Sequence, residues 1–147
     1  MLLKTKLRRV LLIDDSTADN FYHSRIIRLA NITDEIIIKV NGREAIDYLI
    51  TANDNADFPQ PDLIFLDINM PVMNGWEFLE AYEKLALNQR GKVVVTMLTT
   101  SASPKDRNRA KEVSILMGFE EKPLSIEKVN NIMRAHFSEL IQEDGEA

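Results

Sequence analysis

Pro61–Gly75 reads PDLIFLDINMPVMNG. Leu63-Ile64-Phe65-Leu66 is a four-residue apolar run with Pro61 before it and Pro71 after it. A run so short and so rich in branched and aromatic residues predicts a strand buried on both faces. It stops at Asp67, after which Asn69, Pro71, Asn74 and Gly75 predict a turn leading into a helix. An aspartate at the carboxyl end of a buried parallel strand stands on the rim where open α/β sheets bind their ligands. A lone strand-end aspartate also serves as an ordinary loop cap. The weight given to Asp67 therefore depends on what the other strands bring beside it.

Upstream, Val10–Ile13 predicts a first buried strand that ends in Asp14-Asp15. Ser16-Thr-Ala-Asp19 has the form of a capping box and opens a helix to about Ala30, with Ala18, Phe21, Tyr22, Ile26 and Leu29 as its apolar face. Glu35–Val40 is a β-branched second strand. Asn41-Gly-Arg-Glu44 then starts a helix with Ala45, Ile46, Leu49 and Ile50 on one side. Thr51–Pro61 is a polar loop with two prolines, longer than most connections.

Downstream, Asn74-Gly-Trp-Glu77 caps a third helix whose inner face is Phe78, Leu79, Tyr82 and Leu85. Lys92–Leu98 is a fourth strand, followed by Thr99, Thr100 and Ser101. Ser103-Pro-Lys-Asp106 caps a short basic fourth helix carrying Lys105, Arg107, Arg109 and Lys111. That helix is either a solvated face or a docking surface. A fifth strand covers about Leu116–Glu120. After Lys122-Pro123, Ser125 opens a last helix with Ile126, Val129, Met133, Phe137 and Leu140 on one side. Trp76 reads as a helix-start packing residue or a partly exposed reporter, and periodicity places His23 and His136 on helix surfaces.

Composition narrows the chemistry. The 147 residues suit one compact domain, with a core over about 8–140 and an acidic tail over 142–147. There is no cysteine, which excludes disulfides and thiolate chemistry, and two distant histidines do not make a histidine-rich metal site. A net charge of −5 gives no general case for nucleic-acid binding. Arg8-Arg9 precedes an apolar run of four residues that ends in two aspartates, too short and too acidic for an export signal. No stretch reaches transmembrane length. These features lead us to expect a cytoplasmic protein.

Strands alternating with helices imply a doubly wound α/β fold, a five-stranded parallel sheet with helices on both faces. The strand ends then bring Asp14, Asp15, Asp67, Thr99 and Lys122 to one edge. Two carboxylates about 5 Å apart repel by roughly 3 kcal/mol at an effective dielectric near 20. Three of them together call for a cation, a raised pKa, or both, and oxygen-only ligands select a hard ion such as Mg²⁺.

The acidic pair Asp14-Asp15, the D-x-N-M-P-x-M-N-G segment from Asp67 to Gly75, the hydroxyl at Thr99, and Lys122-Pro123 after Phe119 resemble the receiver domain of two-component response regulators. The resemblance covers roughly Arg8–Leu140. It implies a flavodoxin-like, CheY-like sheet of order 2-1-3-4-5, Asp67 as phosphoryl acceptor, and Mg²⁺ (with Mn²⁺ as substitute). Asp15 and Asp67 would ligate the ion by carboxylate, Asn69 by its backbone carbonyl, and Asp14 through water. Thr99 and Lys122 would bind phosphoryl oxygens, and the Lys122–Pro123 peptide would be cis. Asn69 and Ser101 would flank the path of an attacking water and tune the phosphoryl lifetime.

The expected function is a stand-alone module that takes a phosphoryl group from a histidine kinase or histidine phosphotransfer protein. It would signal by partner binding or onward transfer, and would catalyse only its own phosphorylation and dephosphorylation. A switch is expected to run from Thr99 to Phe119 and to reshape the face made by the fourth helix, fifth strand and fifth helix, where an output protein docks. The alternative is a Mg²⁺-dependent aspartyl-phosphate phosphatase or phosphotransferase acting on small substrates. Haloacid-dehalogenase-type enzymes place an acid two residues after the nucleophile, and here that position is Asn69.

Overall fold

A computed structural model describes residues 1–90, 94–100 and 103–142. Lys92 and Val93 of the predicted fourth strand, Ser101, and the tail from 143 onward lie outside the described residues. Five parallel strands form the main sheet: β2 (Val10–Ile13), β3 (Ile36–Lys39), β4 (Leu63–Leu66), β5 (Val94–Thr99) and β6 (Leu116–Glu121), in the order β3-β2-β4-β5-β6. This is the predicted 2-1-3-4-5 order. All four residues of β2 and all four of β4 are buried, as their unbroken apolar runs predict.

Alternation along the strands divides two cores. Leu11, Ile13, Ile64, Leu66 and Met97 pack with Ala45 and Leu49 of α2 (Gly42–Leu49), with Phe78, Leu79 and Tyr82 of α3 (Gly75–Glu83), and with Ala110 of α5 (Pro104–Lys111). Val10, Leu12, Leu63, Phe65 and Leu98 pack on the opposite side with Ile27 of α1 (Thr17–Ala30) and with Val129, Ile132 and Met133 of α6 (Ile126–His136). A sheet covered on both faces leaves its carboxyl edge as the place where polar side chains gather.

The predicted caps form. Ser16, Asn41, Asn74, Ser103 and Ser125 each accept a hydrogen bond from the backbone N–H three residues on, and Asn74 with Glu77 makes a complete capping box. A one-turn helix, α4 (Leu87–Arg90), adds to the predicted elements. The Lys122–Pro123 peptide is cis. The fifth strand carries a register shift opposite Val95 and Thr96, and Gly118 lies against Thr96, whose Oγ1 would stand 3.1 Å from a Cβ at that position.

Three expectations are corrected. The face of α1 predicted to be buried points outward: Phe21, Tyr22 and Leu29 are 69%, 46% and 62% exposed. The inner face is Asn20, His23, Ser24 and Ile27, about one residue or 100° round the helix. The contact from Asn20 to the end of β2 ties that face to the sheet. Asn20 Nδ2 donates to the Asp14 carbonyl at 2.7 Å, and Ser24 Oγ donates to the Phe21 carbonyl at 3.0 Å. These bonds use the Asn20 amide N–H and the Ser24 hydroxyl, while Asn20 Oδ1 is buried with no hydrogen-bond partner. His23 is thus buried, not on the surface. On α6, Ile126 is exposed and Ile132 takes an inward place. Leu2–Leu3 (β1) pairs antiparallel with Ile141–Gln142 (β7) in a separate two-stranded sheet.

Candidate functional site

Asp14 and Asp67 end adjacent strands, and the Asp67 N–H donates to the Ile13 carbonyl at 2.9 Å, continuing the ladder to the sheet edge. Both aspartates are buried, whereas Asp15 is exposed. One carboxylate oxygen from each of Asp14, Asp15 and Asp67 falls within a common span of 4.8 Å. The all-oxygen donor set within that span suits a hard ion such as Mg²⁺.

Lys122 enters from the loop after β6. Its N–H donates to the Thr99 carbonyl at 2.7 Å, which ties it to the end of β5. Its side chain is 8% exposed, and Nζ lies 2.6 Å from Asp14 Oδ2, 2.8 Å from Asp19 Oδ2 and 3.5 Å from Asp67 Oδ1. Three carboxylates thus surround one ammonium. Burial pushes the Lys122 pKa down, but hydrogen bonds to Asp14 and Asp19 and the charges of Asp14 and Asp67 outweigh it, and the net shift is upward. The hydrogen bond from Lys122 holds the Asp19 carboxyl below its usual range. Asp67 moves the other way: burial first and the Asp14 charge second push it up to about 6, against the pull of Lys122.

The remaining predicted residues are placed as follows. Thr99 is fully buried at the end of β5. Asn69 is exposed on the loop after Asp67. Phe119 is half-buried on β6 against the core, and the Arg107 guanidinium of α5 stands 5.3 Å from its ring centroid. Trp76 is buried, with Arg109 4.4 Å from its ring, so it is a packing residue covered by a cation.

Two residues of the site were missed. Asp19 reads in the sequence only as the acid of a capping box. Ser16 does accept from the Asp19 N–H at 3.1 Å, but the Ser16 N–H donates to Asp14 Oδ1 at 2.9 Å. The Asp19 carboxylate takes its strongest hydrogen bond from Lys122, with a lesser one from the Ser16 side chain. His23 lines a small cavity with Asp14, Asn20 and Asp67. Burial first, then the Lys122 charge, push its imidazole below the ordinary value, against Asp19 and Asp14, so it is neutral at neutral pH. No local pattern marks it, because the misplaced apolar stripe of α1 assigns it to the surface.

The family model for the response regulator receiver domain matches residues 10–134. The chain belongs to this family. A solved two-component response regulator from Cytophaga hutchinsonii superposes with a TM-score of 0.81 at 31% identity, covering 91% of this chain and 99% of that one. Response regulator Rcp1 of Synechocystis is 34% identical over 97 residues, 66% of this receiver domain chain and 65% of Rcp1. A structure of the Mn²⁺-bound form of response regulator Rcp1 shares the receiver fold, with a TM-score of 0.69 at 24% identity over 92% of this chain and 97% of that one. Among the described residues, no helix is long and apolar enough to cross a membrane.

Proposed function

We propose that Asp67 accepts a phosphoryl group from a histidine kinase or histidine phosphotransfer protein in the cytoplasm. The phosphorylated chain then binds an output partner or passes the group on. The observation that carries this reading is the placement of Asp67 between the Asp14–Asp15 pair and the Lys122 ammonium. A carboxylate oxygen of Asp67 attacks phosphorus, the phosphorus–nitrogen bond of the donor breaks, and the leaving imidazole nitrogen takes the electron pair and a proton. The product is an acyl phosphate. With a pKa of about 6, Asp67 is mostly ionised at neutral pH and needs no separate base.

Asp15 and Asp67 would hold Mg²⁺ by carboxylate, Asn69 by its carbonyl and Asp14 through water; the Mn²⁺-bound Rcp1 structure supports Mn²⁺ as a substitute. When bound, the ion supplies positive charge against the phosphoryl oxygens. Lys122 and Thr99 supply the protein's share of that stabilisation, and positioning with charge complementarity is most of what phosphoryl transfer requires. Asn69 would influence the later approach of water.

In this reading the chain catalyses only its own phosphorylation and dephosphorylation. Incubated with excess acyl phosphate, it takes up one label per chain. Sustained enzymatic turnover of small phosphate esters would favour the phosphatase alternative. The exposed Asn69, where that class carries an acid, argues against it.

Signalling needs a surface that responds. A groove of about 290 Å³ between α5 and β6 is lined by Arg107, Ala110, Lys111, Leu116, Met117 and Phe119. Movement of Thr99 toward a phosphoryl oxygen vacates space behind β5, and an inward turn of the Phe119 ring fills it and reshapes the groove. Phe carries no hydroxyl that the inward position would strand. The output partner binds this face more tightly in the phosphorylated state, by about 1–3 kcal/mol for a typical coupling. Beryllofluoride is expected to move amide NMR shifts around Phe119 and α5 in the wild type, and Thr99→Ala is expected to abolish that remote response while Asp67 still accepts phosphate. Shifts confined to the Asp67 pocket, or an undiminished response in Thr99→Ala, would contradict the switch.

A further inference from the structure

We propose that Asp19 is a positioning residue that restrains Lys122 and slows the phosphorylation of Asp67. The inference rests on Asp67 being the acceptor. An ammonium has three N–H donors. Asp14 and Asp19 hold Lys122 at 2.6 and 2.8 Å, both within the range of short charge-assisted hydrogen bonds, whereas Asp67 lies outside it at 3.5 Å. Lys122 is therefore held to one side of the group it must serve.

To grip a phosphoryl oxygen, Lys122 has to relax its hold on one carboxylate. The Asp14 side chain is 7% exposed, and leaving it without its cation would strand a buried charge. The Asp19 side chain is 39% exposed, so water can replace the ammonium there at little cost. Asp19 is thus the partner Lys122 gives up. Until then its charge opposes the arrival of an anionic donor and competes for the cation.

The local structure frees Asp19 for this task. It occupies the third position of α1, from which an acidic side chain commonly reaches back to the N-cap N–H. Asp14 already holds that N–H through Oδ1, and the first turn is capped through the backbone of Asp19 instead. The carboxylate is not the acceptor of the N-cap N–H, and the hydrogen bond from Lys122 outweighs the one it shares with the Ser16 side chain. Its role is directed at Lys122.

The test uses the full chain, saturating Mg²⁺ and acetyl phosphate, with labelling of Asp67 followed by intact mass. Asp19→Asn and Asp19→Ala are expected to speed labelling about two- to fivefold, the range set by losing one partly exposed ion pair. Both should tighten beryllofluoride binding by a similar factor, a change that a purely structural role of Asp19 would not produce. Asp19→Glu, which restores a carboxylate within reach of Lys122, should return the rate toward that of the wild type. Unchanged or slower labelling in both Asn and Ala variants, with the wild type labelled normally, would overturn the inference. If the wild type itself takes up no phosphoryl group, the acceptor reading fails instead.

Discussion

In metal-free buffer at neutral pH, Asp67→Asn is expected to be more stable to urea than the wild-type chain by about 3 kcal/mol. The figure follows from a carboxyl raised from 3.8 to about 6 in the folded protein, at about 1.36 kcal/mol per pKa unit. Between those two pH values the native chain keeps a proton on Asp67 that the unfolded chain has lost. Stability attributable to this group therefore falls as pH rises from about 3.8 through about 6, and the full cost persists above. Asparagine cannot ionise and escapes that cost. It leaves Lys122 with its two nearer partners, Asp14 and Asp19. The advantage of Asp67→Asn should disappear below the unfolded-state pKa, and urea melts across that window measure it. An advantage that does not vary with pH, or a less stable variant at neutral pH, would show that Asp67 is not held against its own charge.

Gly75→Ala is expected to destabilise the chain by about 1–3 kcal/mol or more, the usual range for forcing atoms into filled space. Helix propensity alone predicts the opposite sign, since alanine favours a helix over glycine by up to about 1 kcal/mol. Contact geometry decides. A Cβ at Gly75 would stand 2.4 Å from the Asp67 carbonyl oxygen and 3.0 Å from the Ile68 Cα, both backbone atoms that cannot rotate aside. The Gly75 N–H also donates to the Ile68 carbonyl at 2.8 Å, which locks the helix start against the acceptor strand end. Relief of the overlap has to move Asp67, so phosphoryl uptake should fall along with stability. A variant as stable as the wild type in urea would show that the loop can give way.

The legible parts of this molecule were those fixed by short-range chemistry. Apolar runs such as Val10–Ile13 and Leu63–Leu66 permit little but buried strands, and Ser or Asn caps mark where each major helix begins. Alternation of these elements dictates a parallel sheet, which brings Asp14, Asp15, Asp67, Thr99 and Lys122 to one edge. The rotation of α1 was not legible. Its most hydrophobic stripe contains Phe21 and Leu29, yet the contact from Asn20 to the Asp14 carbonyl holds a more polar face inward. Burial of His23 follows from the same rotation. The Asp19–Lys122 pair spans 103 residues in sequence and depends on which acceptor takes the Ser16 N–H, a competition no local pattern encodes.

Phosphoryl transfer to Asp67 is tested most directly by intact mass after incubation with a small acyl-phosphate donor, with and without Mg²⁺, in wild type and Asp67→Asn. The account predicts one phosphoryl group per wild-type chain in the presence of Mg²⁺, and none on Asp67→Asn under the same conditions. A phosphoryl adduct that persists at full yield in Asp67→Asn would contradict it.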